Sequence, residues 1–142
     1  MKSVKKTALI LGCLVIIMGM DGCKDNSGKF IITVNKDVPA CGITDPVTNS
    51  AWLAEFCKNH TPTDFIGVTI NISVYKNKVT AENHYVVSYS SSTVVEYSSQ
   101  EVYDCSGNKL YVKAKADAAP TGWTEFFAQN ELVATIWELT KE

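Results

Sequence analysis

The side chains with the widest chemical range in this 142-residue chain are two histidines, His60 and His84, and five cysteines. His84 stands shortly before a stretch rich in hydroxyls, with serines at 88, 90, 91, 92, 98 and 99. A neutral imidazole beside a hydroxyl is the general-base and nucleophile pair of a small hydrolase or modifying enzyme, provided the fold brings the two within hydrogen-bond reach. Spacing alone does not secure that geometry, and a packed or surface histidine is the plainer reading. His60 closes a helical stretch, where an imidazolium suits the C-terminal dipole. Asp104, Ser106 and Asn108 alternate around Gly107 like part of a calcium loop, but the other ligands and the distal bidentate Glu are missing, so a turn is expected. No Cys-x-x-Cys or His-x-x-x-His spacing occurs, and neither a metal nor a cofactor is expected.

The cysteines divide by position. Lys2, Lys5 and Lys6 precede an apolar run of 13 residues, Ala8 to Met20, too short for a membrane span of about 20 residues and suited to a signal-peptide core. The following Met20-Asp21-Gly22-Cys23 resembles the lipobox of bacterial lipoproteins, which makes Cys23 the expected lipidation site and membrane anchor. Residues 1–22 are then a lipoprotein signal peptide, 23–29 a lipidated tether and 30–142 a single domain. Cys13 leaves with the signal peptide, so Cys41, Cys57 and Cys105 remain for an oxidising compartment. Cys57 continues the apolar stripe of a helix and reads as a buried thiol. Cys41 and Cys105 lie beside turns and are the preferred bridge, although other pairings stay open; it would close a loop of some 64 residues.

Charge excludes one class of partner. All 13 basic residues are Lys, and after removal of 1–22 the chain has 10 Lys against 14 acids, a net charge of -4. Without Arg, and without a basic excess to gather on one face, nucleic acid is not an expected partner.

The elements that would position these groups follow from periodicity. Residues 30–34 (FIITV) suit an edge strand. Asp45-Pro46 and Thr48 or Asn49 are helix-start signals before Ser50–Asn59, whose Trp52, Leu53, Phe56 and Cys57 share one face. Val68, Ile70, Ile72 and Val74 then alternate with polar residues, and further strands are predicted over about Val79–Ser90, Val94–Tyr103 and Lys109–Lys115. Thr121 is expected to cap a short helix carrying Trp123, Phe126 and Phe127, before a final strand over Leu132–Leu139. The expected fold is α+β: an antiparallel four- to five-stranded meander sheet with an N-terminal helix packed across it and a short C-terminal helix. Trp52 and Phe56 should meet Val68, Ile70, Ile72 or Val74.

The order of landmarks, a lipobox, Cys41-Gly42, Asp45-Pro46 with Asn49, Trp52-Leu53, Tyr103-Asp104-Cys105-Ser106-Gly107-Asn108 and Ile136-Trp137, resembles a family of small Bacteroidetes lipoproteins of uncharacterised function. The resemblance covers about residues 41–142. The chain departs from the pattern at Ser50-Ala51 and in lacking a glycine-rich segment around Ala114–Ala119. The resemblance implies an α+β fold and a cell-envelope location, with no chemistry attached.

Two functions are therefore expected to compete. The first is a lipid-anchored, outer-membrane binding or accessory module, not an enzyme, that engages a protein, peptide or glycan through the outward sheet face carrying Tyr75, His84, Tyr97 and Tyr111. The second is a small envelope hydrolase or modifying enzyme using His84. An Arg clamp, clustered His or Cys, a Gly-rich phosphate loop and a nucleophile with an evident base are all missing from the sequence, which favours the first.

Overall fold

The computed structural model describes residues 30–60, 68–91 and 98–141. The expected signal peptide, Cys23, the expected tether at 23–29 and Tyr97 lie outside the described residues. The elements are β1 (Phe30–Val34), α1 (Pro46–Asn49), α2 (Ala51–Asn59), β2 (Val68–Asn77), β3 (Asn83–Ser91), β4 (Ser98–Tyr103), β5 (Lys109–Ala114), α3 (Trp123–Gln129) and β6 (Asn130–Lys141). They form one open antiparallel sheet of six strands in the order β1-β6-β2-β3-β4-β5, with a few short helices. The fold is thus mostly β, with six strands in place of the expected four or five. β2 to β5 are that meander; the final strand β6 returns to the far side of β2 and carries the N-terminal strand β1 outside it. A strand, not a helix, is the first described element.

Local chemistry explains where the elements start. Asp45, at φ 47°, accepts a hydrogen bond from Thr48 N at 3.4 Å and caps α1, whose first residue is Pro46. Ser50 N donates to Pro46 O at 3.0 Å, and Ser50 precedes α2 without a side-chain cap bond, while Thr48 and Asn49, expected to start that helix, lie within α1. β3 begins later than its β-prone sequence suggests. Asn77 Oδ1 accepts from Val79 N and Thr80 N at 2.9 and 3.0 Å, folding Lys78–Thr80 into a turn that leaves Val79 89% exposed. α3 begins at Trp123 after Gly122, at φ 84°, rather than after a Thr121 cap; a Cβ at Gly122 would come within 2.9 Å of the Tyr111 hydroxyl.

The sheet buries apolar residues on both faces. On the first, Ile70, Ile72 and Val74 of β2, Tyr85 and Val87 of β3 and Trp137 and Leu139 of β6 pack with Leu53 of α2, and Trp52, Phe56 and Cys57 border the cluster. Trp52 meets aromatic rings within this cluster: it stacks on Tyr103 at 5.3 Å and stands edge-on to Tyr85 at 5.4 Å. Its Nε1 donates to Cys105 O at 3.2 Å, in a turn tied to the helical side of the fold by the Cys41–Cys105 disulfide. On the second face Val86 and Val102 pack beneath Trp123 and Phe126 of α3. Register shifts in β6 leave Ile136 and Val133 as extra residues, so Ile136 and Trp137 are both buried and strict alternation fails there.

Two substitutions test the Trp52 anchor. Trp52→Ala should lower unfolding free energy by about 3–5 kcal/mol in urea denaturation. Gly107 has φ 85° and a Cβ there would meet the Trp52 ring at 2.7 Å, so Gly107→Ala should cost more than about 1 kcal/mol by the same measurement.

Candidate functional site

Three of the four residues expected to form a binding face, Tyr75, His84 and Tyr111, come from one face of the sheet. Tyr75 pairs with His84 across β2 and β3, and Val102, on the same face, pairs with Tyr111 of β5. That region is occupied by α3. Tyr75 meets Phe127 edge-on at 5.5 Å, His84 meets Phe126 at 5.3 Å, and Tyr111 lies 6.0 Å from Phe126 and 6.5 Å from Trp123. Tyr75, His84 and Tyr111 are therefore half-buried walls of a second core rather than an open aromatic platform. The correction has a simple cause. Three rings in a row on one face are an apolar surface, and the chain closes its own helix onto it.

His84 has no catalytic setting among the described residues. Its Nδ1 is buried without a hydrogen-bond partner and its ring packs on Phe126. His60 stacks on Phe56 at 3.9 Å, with Nδ1 2.8 Å from Phe56 O. Asp104 spends its carboxylate on its own turn: Oδ1 accepts from Ser106 N and Asn108 N, and Oδ2 from Asn108 Nδ2, all at 2.8 Å. The bond from the Asn108 side chain, followed by that from its backbone, holds this carboxyl below the usual range. Among the described residues no group of three or more His, Cys, Asp or Glu is placed to hold a metal.

The bridge sits beside β3. Cys41 N donates to Asn83 Oδ1 at 3.0 Å, and Cys105 Sγ lies 3.3 Å from the Asn83 carbonyl oxygen. Cys57 is a free thiol pushed up to about 12 by burial, hence protonated and unreactive near neutral pH. Tyr103 donates to Glu101, which also accepts from Lys109 Nζ at 2.8 Å; burial first, then this carboxylate, raises the Tyr103 phenol. None of these groups is poised as a nucleophile.

The open part of the second face is its other half, and it is polar. Strand pairing aligns one residue from each of six strands: Thr33, Glu138, Asn71, Ser88, Gln100 and Lys113. Gln100 Nε2 donates to Ser88 Oγ at 3.1 Å within this row. One residue further along, Ser90 pairs with Ser98, and Lys115 N donates to Ser98 O at 2.8 Å. Around Asn71, Ser88, Gln100 and Lys113 the surface forms an open trough of about 380 Å³, bordered also by Ser90, Ser98 and Lys115. Sequence reasoning placed Ser88, Gln100 and Lys113 on strands but had no register to bring them into line. The only signal available was the polar tail of each alternating strand.

No family model, curated protein or solved structure matches the chain. Among the described residues no helix is long and apolar enough to cross a membrane.

One buried group generates a prediction. The Tyr85 hydroxyl is buried without a hydrogen-bond partner, and burial pushes it up to about 12 from an ordinary value near 10. A phenol that ionises more readily unfolded than folded withdraws stability as pH rises above about 10, and the loss is complete above about 12. Tyr85→Phe should therefore gain about 1 kcal/mol at pH 8 and show a shallower loss between pH 8 and 11, read from urea midpoints.

Proposed function

We propose that the chain is a lipid-anchored protein of the bacterial cell envelope, held at the outer membrane through Cys23, that recognises a glycan without converting it. The observation that carries this reading is the polar row across six strands, with its trough at Asn71, Ser88, Gln100 and Lys113. Ser, Asn and Gln side chains both donate and accept hydrogen bonds, as sugar hydroxyls do. A peptide would instead favour an apolar groove, whereas eight of the nine lining residues are polar, Tyr89 being the exception. His84, the residue on which an enzymatic reading would stand, lies against Phe126 under α3. The anchor is supported by the Gly22-Cys23 step after the 13-residue apolar run.

Each half has its own experiment. Metabolic labelling with a palmitate analogue should mark the wild type and not Cys23→Ala; equal labelling would contradict the anchor. On an oligosaccharide array, the Gln100→Ala and Ser88→Ala variants should each bind about tenfold more weakly than the wild type, the loss of one or two hydrogen bonds. Tyr111→Ala should act through stability alone. Unchanged binding in both trough variants, or product formation dependent on His84, would contradict the reading.

A further inference from the structure

We infer that the trough takes an acidic oligosaccharide laid across the strands, its carboxylate or sulfate held at the β5 side by Lys113 with Lys115 beside it. The inference rests on the reading of the trough as a glycan-recognition surface and adds the charge and direction of the ligand.

Charge within the trough is one-sided. Among the described residues its lining includes Lys113 and Lys115 and no carboxylate. The one acid in the row, Glu138, lies beyond Asn71 on β6. The lysines of this edge differ in how they are partnered. Lys109, at the start of β5, is paired with Glu101 at 2.8 Å. Lys113 is half-buried on the opposite face and has no carboxylate partner among the described residues. A lysine in the lining with no carboxylate partner leaves its charge to be met by a bound anion. Its spherical charge, unlike a guanidinium fork, does not distinguish planar carboxylate from tetrahedral sulfate.

Length and direction follow from the sheet. Adjacent strands lie about 4.8 Å apart, so the three steps from Asn71 on β2 to Lys113 on β5 cover roughly 14 Å, room for several sugar rings rather than one. Ser88 and Gln100 stand between, offering groups that pair with ring hydroxyls. Glu138 beyond the other end repels an acid there. The charged unit is thereby directed to β5 and the neutral units to β3 and β2.

The test uses the full chain in detergent micelles, titrated calorimetrically with tetragalacturonate, a sulfated galactan tetrasaccharide and neutral cellotetraose. The wild type should bind one or both acidic probes at least about tenfold more tightly than cellotetraose at low salt, and the advantage should shrink as salt is added. Which acidic probe is preferred separates carboxylate from sulfate. Lys113→Gln should erase the advantage while leaving the unfolding midpoint unchanged, and Gln100→Ala should weaken every probe that binds. Lys76→Gln, an exposed lysine on a strand at the opposite face, should change nothing. Equal affinity for acidic and neutral probes, still reduced by Gln100→Ala, overturns the acidic ligand and leaves glycan recognition standing. Acidic binding weakened as much by Lys76→Gln as by Lys113→Gln, and indifferent to Gln100→Ala, is general attraction to lysines and overturns the inference. If none of the three probes binds, the inference and the glycan reading fail together.

Discussion

An open sheet exposes two faces, and every residue pointing from them must be covered by the chain or made compatible with water. That constraint organises this molecule. The first face receives the helical segment 46–59, and the buried residues of β2, β3 and β6 meet Leu53 there. Among the described elements the second face receives only α3, seven residues long, which covers the region of Tyr75, Val86, Val102 and Tyr111. Beyond its reach the same strands change character, from Val86 to Ser88 and Ser90 on β3 and from Val102 to Gln100 and Ser98 on β4. The polar trough is what remains of a face whose covering helix is short.

The first face is fixed at one end by mutually dependent contacts. The Cys41–Cys105 bridge, the Trp52 indole bonded to Cys105 O and the left-handed Gly107 beneath the indole hold α2 to the turn between β4 and β5. A bridge spanning 64 residues removes much freedom from the unfolded chain, on the order of 4 kcal/mol in the chain-entropy model. Asp104 stiffens the same turn through three hydrogen bonds. The sheet on which the trough is built is therefore tied at its opposite face.

Much of this was legible in the residues. The alternation of Ile70, Ile72 and Val74 and of Tyr85, Val87 and Tyr89 marks faces correctly, and Phe30–Val34 is an edge strand. What sequence could not supply was register and covering. Tyr75, His84 and Tyr111 have the look of a wet aromatic face until α3 is laid on them, because periodicity states which residues share a side and not what sits above it. Val79 and Thr80 have strand propensity, but the Asn77 side chain captures both amides and bends them into a turn. The two register shifts of β6 bury Ile136 beside Trp137, which no period of two anticipates. The polar row was hidden for the same reason: its six residues are far apart in sequence and meet only through pairing.

The central claim is that the two halves of the second face have different roles, core beneath α3 and recognition beyond it. Side-chain amide and indole resonances separate them directly in a two-dimensional nitrogen–proton spectrum recorded during titration with an oligosaccharide that the chain binds. The account predicts shifts in the Asn71 and Gln100 side-chain amides with the Trp123 indole unmoved. Shifts centred on Trp123, with Asn71 and Gln100 unmoved, would contradict it.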